Sequence, residues 1–307
     1  MNSTPRLPVG LRVFERGWLS ANNILLMGPD DSALVDSGYC THAAQTVSLV
    51  DAALDGRKLD LLLNTHLHSD HCGGNAALQH HFPDLQTRIP PGEASSVARW
   101  DEEALSYRPT GQQCPRFSFQ GLLEPGTTAR MGGSVWEVHS APGHDPSSII
   151  LFEPDSRTLL SADALWEKGF GVVFPELVGE PSFDNVAATL DLIERLSPLT
   201  VIPGHGRVFI GVTEALEFAR QRLMRQVADP SKHAHHALKV LIKFKLMEVH
   251  SISRPQWKRW ISETPYFELV RKRFFDHEAL DEISEDLLAE LVFSGAAAAA
   301  GDQIENR

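Results

Sequence analysis

Between residues 66 and 71 the chain reads His66-Leu67-His68-Ser69-Asp70-His71, which puts four imidazole or carboxylate groups within six residues. Neutral imidazole and carboxylate are the ligands that zinc and similar divalent ions take. In a helix, residues two apart fall on different faces. In an extended or turning loop, His66 and His68 point the same way and can share one ion. The following turn can then send Asp70 and His71 to a second, and Gly73-Gly74 frees the backbone for it.

Three isolated residues further along extend the pattern. His144 sits in Pro142-Gly143-His144, Asp163 closes a short apolar run, and His205 lies in Pro203-Gly204-His205-Gly206. With these the set is His66, His68, Asp70, His71, His144, Asp163 and His205, which is what a two-metal site needs. Zinc leads as the ion, and iron, manganese and nickel accept the same donors. A water between two cations loses a proton near neutrality and becomes a hydroxide nucleophile, so no Ser or Cys nucleophile is required.

These residues must be positioned by rigid elements. Asn22–Asp36 predicts a hairpin about a Gly-Pro-Asp-Asp turn, and Thr41–Leu54 a helix by the spacing of Ala43, Val47, Val50 and Leu54. Leu59–Asn64 is a buried-strand run that ends at the histidine cluster. A helix is expected over Asn75–His81 with Asn75 as its N-cap, and another over Ser182–Leu196 capped by Ser182 and stopped by Pro198. Strands are expected at Ser134–His139, Ser148–Phe152, Thr158–Asp163 and Thr200–Pro203. Residues 83–128 predict long loops with a helix near Glu93–Leu105. From Thr213 strand signals fade and charged helical patterns run to about Phe293. The organisation expected is a catalytic domain over 1–212, a helical domain over 213–294 (winged-helix-like as one option) and a disordered tail over 295–307 with its five-alanine run.

The ligand pattern resembles the metallo-β-lactamase superfamily, with motifs matching at Asp36, His66/His68/Asp70/His71, His144, Asp163 and His205 across roughly residues 10–210. That resemblance implies an α/β fold, a four-layer αββα sandwich with metals at one edge. It implies one ion on His66, His68 and His144 and a second on Asp70, His71 and His205. Asp163 would bridge them, Asp36 would support the metal loop by hydrogen bonds, and catalytic Asp70 would orient the hydroxide. Glyoxalase II, a thioesterase with a helical C-terminal domain, shares all seven ligands.

Departures narrow the substrate. True β-lactamases of this fold generally lack the bridging aspartate that Asp163 supplies. Homoserine-lactone hydrolases carry Tyr where this chain has Trp166. The glutathione-binding Tyr and basic residues of glyoxalase II are missing after Asp163, where Lys168 is the one substitute. Trp166, Lys168, Phe170 and Phe174 are expected along the substrate pocket. The leading reading is a hydrolase of a small ester, thioester or lactone.

An alternative uses the C-terminal segment. Between Arg220 and Arg273 there are thirteen Lys/Arg and four Asp/Glu, a local basic stretch suited to the phosphates of RNA, a nucleotide or coenzyme A. That reading is a phosphodiesterase or ribonuclease. Seven acids between residues 276 and 290 argue instead for ordinary charge-paired helix faces. A third class is a mononuclear iron dioxygenase or an inactive scaffold.

Composition sets outer bounds. The 307-residue chain carries a net charge of −12, which argues against wholesale coating of nucleic acid or an anionic membrane. Its three cysteines lack CxxC spacing, and no apolar leader follows Met1–Arg6, so a cytoplasmic protein is expected, without a membrane partner and with self-association open. His42, His80, His81, His139 and the His233/His235/His236 tract are expected to be structural or surface groups, and Cys72 structural.

Overall fold

The computed structural model describes residues 7–307; the amino-terminal hexapeptide read as lacking an apolar leader lies outside them. Two sheets form the centre. The first runs in the order β1 (Leu11–Phe14), β2 (Asn23–Met27), β3 (Ser32–Val35), β4 (Leu61–Leu63), β5 (Gln86–Ile89) and β6 (Gly121–Leu122). In the second, β7 (Thr128–Met131), β8 (Ser134–Ser140), β9 (Ile149–Glu153), β10 (Thr158–Ala162) and β11 (Thr200–Pro203) are neighbours in that order.

Period-two alternation assigns each face. Ile24, Leu26, Ala33, Val35 and Leu63 point between the sheets and meet Met131, Trp136, Val138, Leu151, Leu160 and Ile202. Their neighbours Leu25, Leu34 and Leu62 point outward onto Val50 and Leu54 of α1 (Ala43–Leu54) and Leu78 of α3 (Asn75–His81). On the other side Ile150, Leu159 and Val201 meet Val186, Leu190 and Ile193 of α6 (Phe183–Leu196) and Leu216 of α7 (Val212–Ala228). Helix layers therefore cover both outer faces, which is the αββα sandwich expected. Short helices α2 (Ser69–Cys72), α4 (Ala94–Arg99) and α5 (Phe174–Val178) lie in the connections.

After α7 come α8 (Pro230–Val249), β12 (Ser251–Ser253), α9 (Arg254–Glu263), α10 (Pro265–Phe274) and α11 (Leu280–Phe293), then β13 (Ala297–Ala300) and β14 (Gln303–Asn306). They share a core with Val172 and Leu177, in which Leu238, Ile242, Trp257, Phe267, Leu287 and Ile304 are buried. Among the described residues no helix is long and apolar enough to cross a membrane.

Several local expectations need correction. The tail is not disordered: β13 and β14 pair as a hairpin, and β14 also pairs with β12, because Ala297 and Ile304 bury against the helices. The C-terminal segment is thus not purely helical. The helix expected over Glu93–Leu105 stops at Arg99, since Trp100 turns left-handed (φ 56°) and Asp101 N–H returns to Ser96 C=O. Residues 83–128 also supply β5 and β6. Gly74, not Asn75, caps α3; the Asn75 side chain instead exchanges hydrogen bonds with Asn64 and accepts from Ser37 Oγ at 2.7 Å. Ser182 occupies the N-cap of α6, yet its hydroxyl does not cap; Glu176 Oε1 accepts from Ser182 N–H (2.5 Å) and Phe183 N–H (2.7 Å).

Candidate metal centre

The candidate ligands sit in the connections that follow strands. His66 is three residues past the end of β4, Asp70 and His71 lie in α2, His144 lies in the β8–β9 turn, and Asp163 and His205 follow β10 and β11. Parallel pairing of β3 with β4 and of β10 with β11 brings these strand ends to one edge of the sandwich. Donor atoms within 4.8 Å of one another form three overlapping groups: His66/His68/His144, His66/His71/Asp163 and Asp70/His71/His205. The three groups contain all seven residues read from the sequence.

The side chains are held in ligand-ready tautomers. Asp36 accepts from Thr65 N–H (2.9 Å) and Thr65 Oγ1 (2.8 Å), and its Oδ2 lies 2.8 Å from His71 Nδ1. A carboxylate only accepts, so the His71 proton is on Nδ1 and Nε2 offers its lone pair inward. His144 Nδ1 donates to Val172 C=O at 2.5 Å, leaving its Nε2 2.8 Å from His68 Nδ1. His68 Nε2 faces Asp145 at 3.8 Å. Buried His66 Nε2, His71 Nε2 and His205 Nδ1 have no hydrogen-bond partner within the protein. His71 Nε2 faces Asp163, and His205 turns its other nitrogen, Nε2, toward Asp70 (3.0 Å) and Asp163 (3.9 Å); imidazole nitrogens gathered around carboxylates in this way fit cations. Asp163 places Oδ1 3.4 Å from His71 Nε2 and Oδ2 3.4 Å from His144 Nε2, so one carboxylate faces both groups.

Electrostatics favour the neutral form of His66, His68 and His144; burial acts the same way on His71, but Asp163, Asp36 and Asp70 outweigh it and hold that imidazole well above its usual value. Burial, reinforced by neighbouring His68, pushes His144 down to about 4, and burial above all does the same to His68. Burial and the charges of His71, His68 and His144 hold His66 well below its usual value. Burial works against charging Asp163, but His71 and His205 outweigh it and hold the carboxyl well below the usual range. Gly204 is required on steric grounds: a Cβ there would strike Asp163 Oδ1 and His71.

The centre opens into a cavity of about 800 Å³, within the range of small-molecule sites. Trp166 and Lys168 line it as expected. Phe170 does not: it is buried in the second helix layer among Phe152, Val173 and Leu190. Phe174 does reach the cavity, together with Val240, Leu241, Phe244 and Met247 of α8. The Trp166 indole N–H donates to Asp163 Oδ1 at 3.2 Å. Two further groups escaped sequence reading. Trp18, in the β1–β2 loop, is 57% exposed and stacks on His205 at 5.4 Å between centroids. Arg222 reaches the cavity from α7. An isolated aromatic in a loop and one arginine among many carry no periodic signal.

Of the remaining histidines, His236 lines the cavity from α8, and the others make separate contacts. His42 bonds Ser20 Oγ (2.8 Å), His81 faces Asp51, His139 faces Glu137, and His233 bonds Val173 C=O. The His233/His235/His236 tract forms none of the ligand groups among the described residues. Cys72 is buried 3.2 Å from Tyr107 Oη, behind the metal loop.

The geometry gathers the seven candidate ligands at one edge of an αββα sandwich, and comparison with known proteins identifies the family. Residues 16–205 match the metallo-beta-lactamase superfamily, and the chain belongs to that superfamily, whose members bind divalent metals. It is 28% identical over 167 residues to a hydroxyacylglutathione hydrolase of Crocosphaera subtropica, a match covering 50% of each chain. Human acyl-coenzyme A thioesterase MBLAC2 is 23% identical over 218 residues, covering 64% of this chain and 77% of that one. The chain spans about half the length of the first curated relatives it matches. Among solved structures, the metallo-beta-lactamase family protein TTHA1429 from Thermus thermophilus shares 20% identity at a TM-score of 0.55, covering 97% of this chain and 99% of that one. TTHA1623, solved in a di-iron-bound form, shares 24% identity at a TM-score of 0.54 and covers 68% of this chain and 98% of its own. At these identities the structural likeness shows the fold alone.

Proposed function

We propose that the chain hydrolyses a carbonyl ester, with thioesters first, and that it does so with two divalent ions held by the seven His/Asp side chains. The observation that carries this reading is Asp163 facing both donor groups with one oxygen each, at the floor of a largely apolar cavity. The relatives named as hydroxyacylglutathione hydrolase and acyl-coenzyme A thioesterase favour thioesters. His66, His68 and His144 would hold one ion and Asp70, His71 and His205 the other. When bound, such ions lower the pKa of a water toward neutrality and polarise the substrate carbonyl.

The protein's own groups supply the rest. Asp36 locks the His71 ring. Asp70 Oδ2, 3.0 Å from His205 Nε2, is placed to orient water in the site. Trp166 presents a fixed N–H donor at the Asp163 carboxylate, where the homoserine-lactone hydrolases carry a Tyr. Trp18, Phe174 and the apolar face of α8 exclude water from the acyl or thiol arm. Residues after 212 are read as a second domain that walls the cavity.

The nuclease reading loses its main support, because much of the basic stretch is internally paired. Lys239 meets Glu290 and Arg254 meets Glu285, both at 2.8 Å, while Arg271 meets Glu268 and Arg220 meets Asp191 and Glu194. The test is metal quantification followed by assay against ester, thioester, lactone and phosphodiester substrates. Two ions per chain and turnover of a thioester are expected. A single iron with no hydrolysis of any carbonyl substrate would sink the proposal.

A further inference from the structure

Most cations of the C-terminal helices either meet a carboxylate or stand in solvent; Arg222 does neither. Its guanidinium is partly buried, enough to hold its pKa below the usual arginine value, and the charge acting on it is that of Arg225, which is also positive. Its polar contact is His236 Nε2 at 3.3 Å, and it lies over the Phe170 ring at 5.3 Å. Burial, then the charge of Arg222, pushes His236 down to about 4, so the imidazole stays neutral and accepts one guanidinium N–H. The donors left over belong to a residue that lines the cavity. Burying a guanidinium without an anion is costly, and an Arg fork matches carboxylate and phosphate oxygens.

The fold makes room for it. Trp166 and Gly169 form a tight antiparallel bridge, closed by Trp166 N–H to Gly169 C=O at 2.7 Å. Trp166 ends at Asp163, and Gly169 sits against the guanidinium: with φ at +116°, a Cβ there would fall 2.8 Å from Arg222 Nη1. One turn thus links the reaction centre to the cation. Lys168, at its tip, also lines the cavity and is solvent-exposed.

We infer that Arg222, with Lys168 beside it, is a specificity subsite for an anionic group (carboxylate or phosphate) on the part of the substrate that is not cleaved. This rests on the cavity being the substrate site, and it deepens that reading by requiring an anionic substrate. The buried basic group comes from α7, not from the loop that follows Asp163.

The test compares acetyl thioesters of three thiols: neutral N-acetylcysteamine, glutathione with two carboxylates, and 4′-phosphopantetheine with a phosphate. The metal-loaded protein should prefer an anionic thioester. Arg222→Gln should lower the anionic-to-neutral ratio of kcat/KM by about 10- to 100-fold, mostly through KM, because a hydrogen bond to a charged group is lost. Arg222→Lys should restore part of it. Lys232→Gln, an exposed charge on α8 away from the cavity, should leave the ratio unchanged. Which thioester loses its advantage identifies carboxylate or phosphate.

No preference in the wild type, or a preference that survives Arg222→Gln with folding verified by circular dichroism, overturns the inference. Calorimetric binding of the thioethers S-methylglutathione and S-methyl-4′-phosphopantetheine provides a readout without turnover. If no thioester is hydrolysed, the functional reading fails on its own. Tighter thioether binding by wild type than by Arg222→Gln still supports the subsite, and equal binding rejects it.

Discussion

The edge of the sandwich and the helices after residue 212 are both rich in ionisable groups, yet they treat them oppositely. At the edge, buried His66, His71 and His205 each keep a ring nitrogen without a partner. In the helices, Lys239, Arg254 and Arg271 each meet a carboxylate at 2.8 Å. Partly exposed pairs of that kind contribute little and invite no ligand. Converging unpartnered donors leave a defect that a cation or substrate must fill. Charge density alone therefore misleads; unsatisfied valence locates chemistry. Among the cations of those helices Arg222 departs from the pairing, since it lines the cavity and its polar partner is the imidazole of His236, not a carboxylate.

The contrast can be broken by mutation, and the largest effect belongs to Asp163. Asp163→Ala should abolish turnover, at least about 10³-fold in kcat, and release metal, since it removes the one carboxylate facing both donor groups. His68→Ala should act likewise; full activity in either variant with one ion bound would refute the two-metal reading. Next comes Asp36→Ala, which frees the His71 ring and should weaken metal affinity about 10- to 100-fold, read by chelator competition.

Smaller effects sharpen the comparison. Trp166→Phe keeps an aromatic ring but deletes the N–H at Asp163, and should lower kcat by about tenfold with metal content retained. A pH test addresses the neighbour of Arg222. His236 has a folded pKa of about 4, below its unfolded value, so the unfolded chain binds the extra proton first. Its stabilisation is complete above about pH 6.5 and is lost as pH falls toward 4, amounting to at most about 3 kcal/mol. His236→Gln should flatten the denaturation midpoint across that window; an unchanged pH profile would refute the neutral buried imidazole. Smallest of all, Arg271→Glu should cost less than about 1 kcal/mol in urea unfolding and leave thioester turnover intact.

The ligand set was legible because each residue closes a strand-like run or sits beside glycine, and because four of the seven lie within six positions. The sandwich was legible from alternating apolar runs such as Ile24-Leu25-Leu26. What failed was local. An Asn side chain favours helix caps, yet the partners of Asn75, Ser37 and Asn64, are tertiary. The alanine run resembles a disordered tail because a short apolar strand shows its worth only when a surface such as that around Ile304 receives it. Lys168 is the one basic residue near Asp163 in the chain, whereas the buried cation comes from a helix over fifty residues later.

By itself the sequence determined which side chains could bind metal and that several of them follow strand-like runs, since donor chemistry and period-two patterning are local properties. Tertiary structure decided which nitrogens are left unpaired, that Asp163 faces both groups, that Phe170 turns into the core while Phe174 turns to the cavity, and that Arg222 stands without a carboxylate. Those facts depend on distances between residues far apart in the chain, and no local pattern encodes a distance.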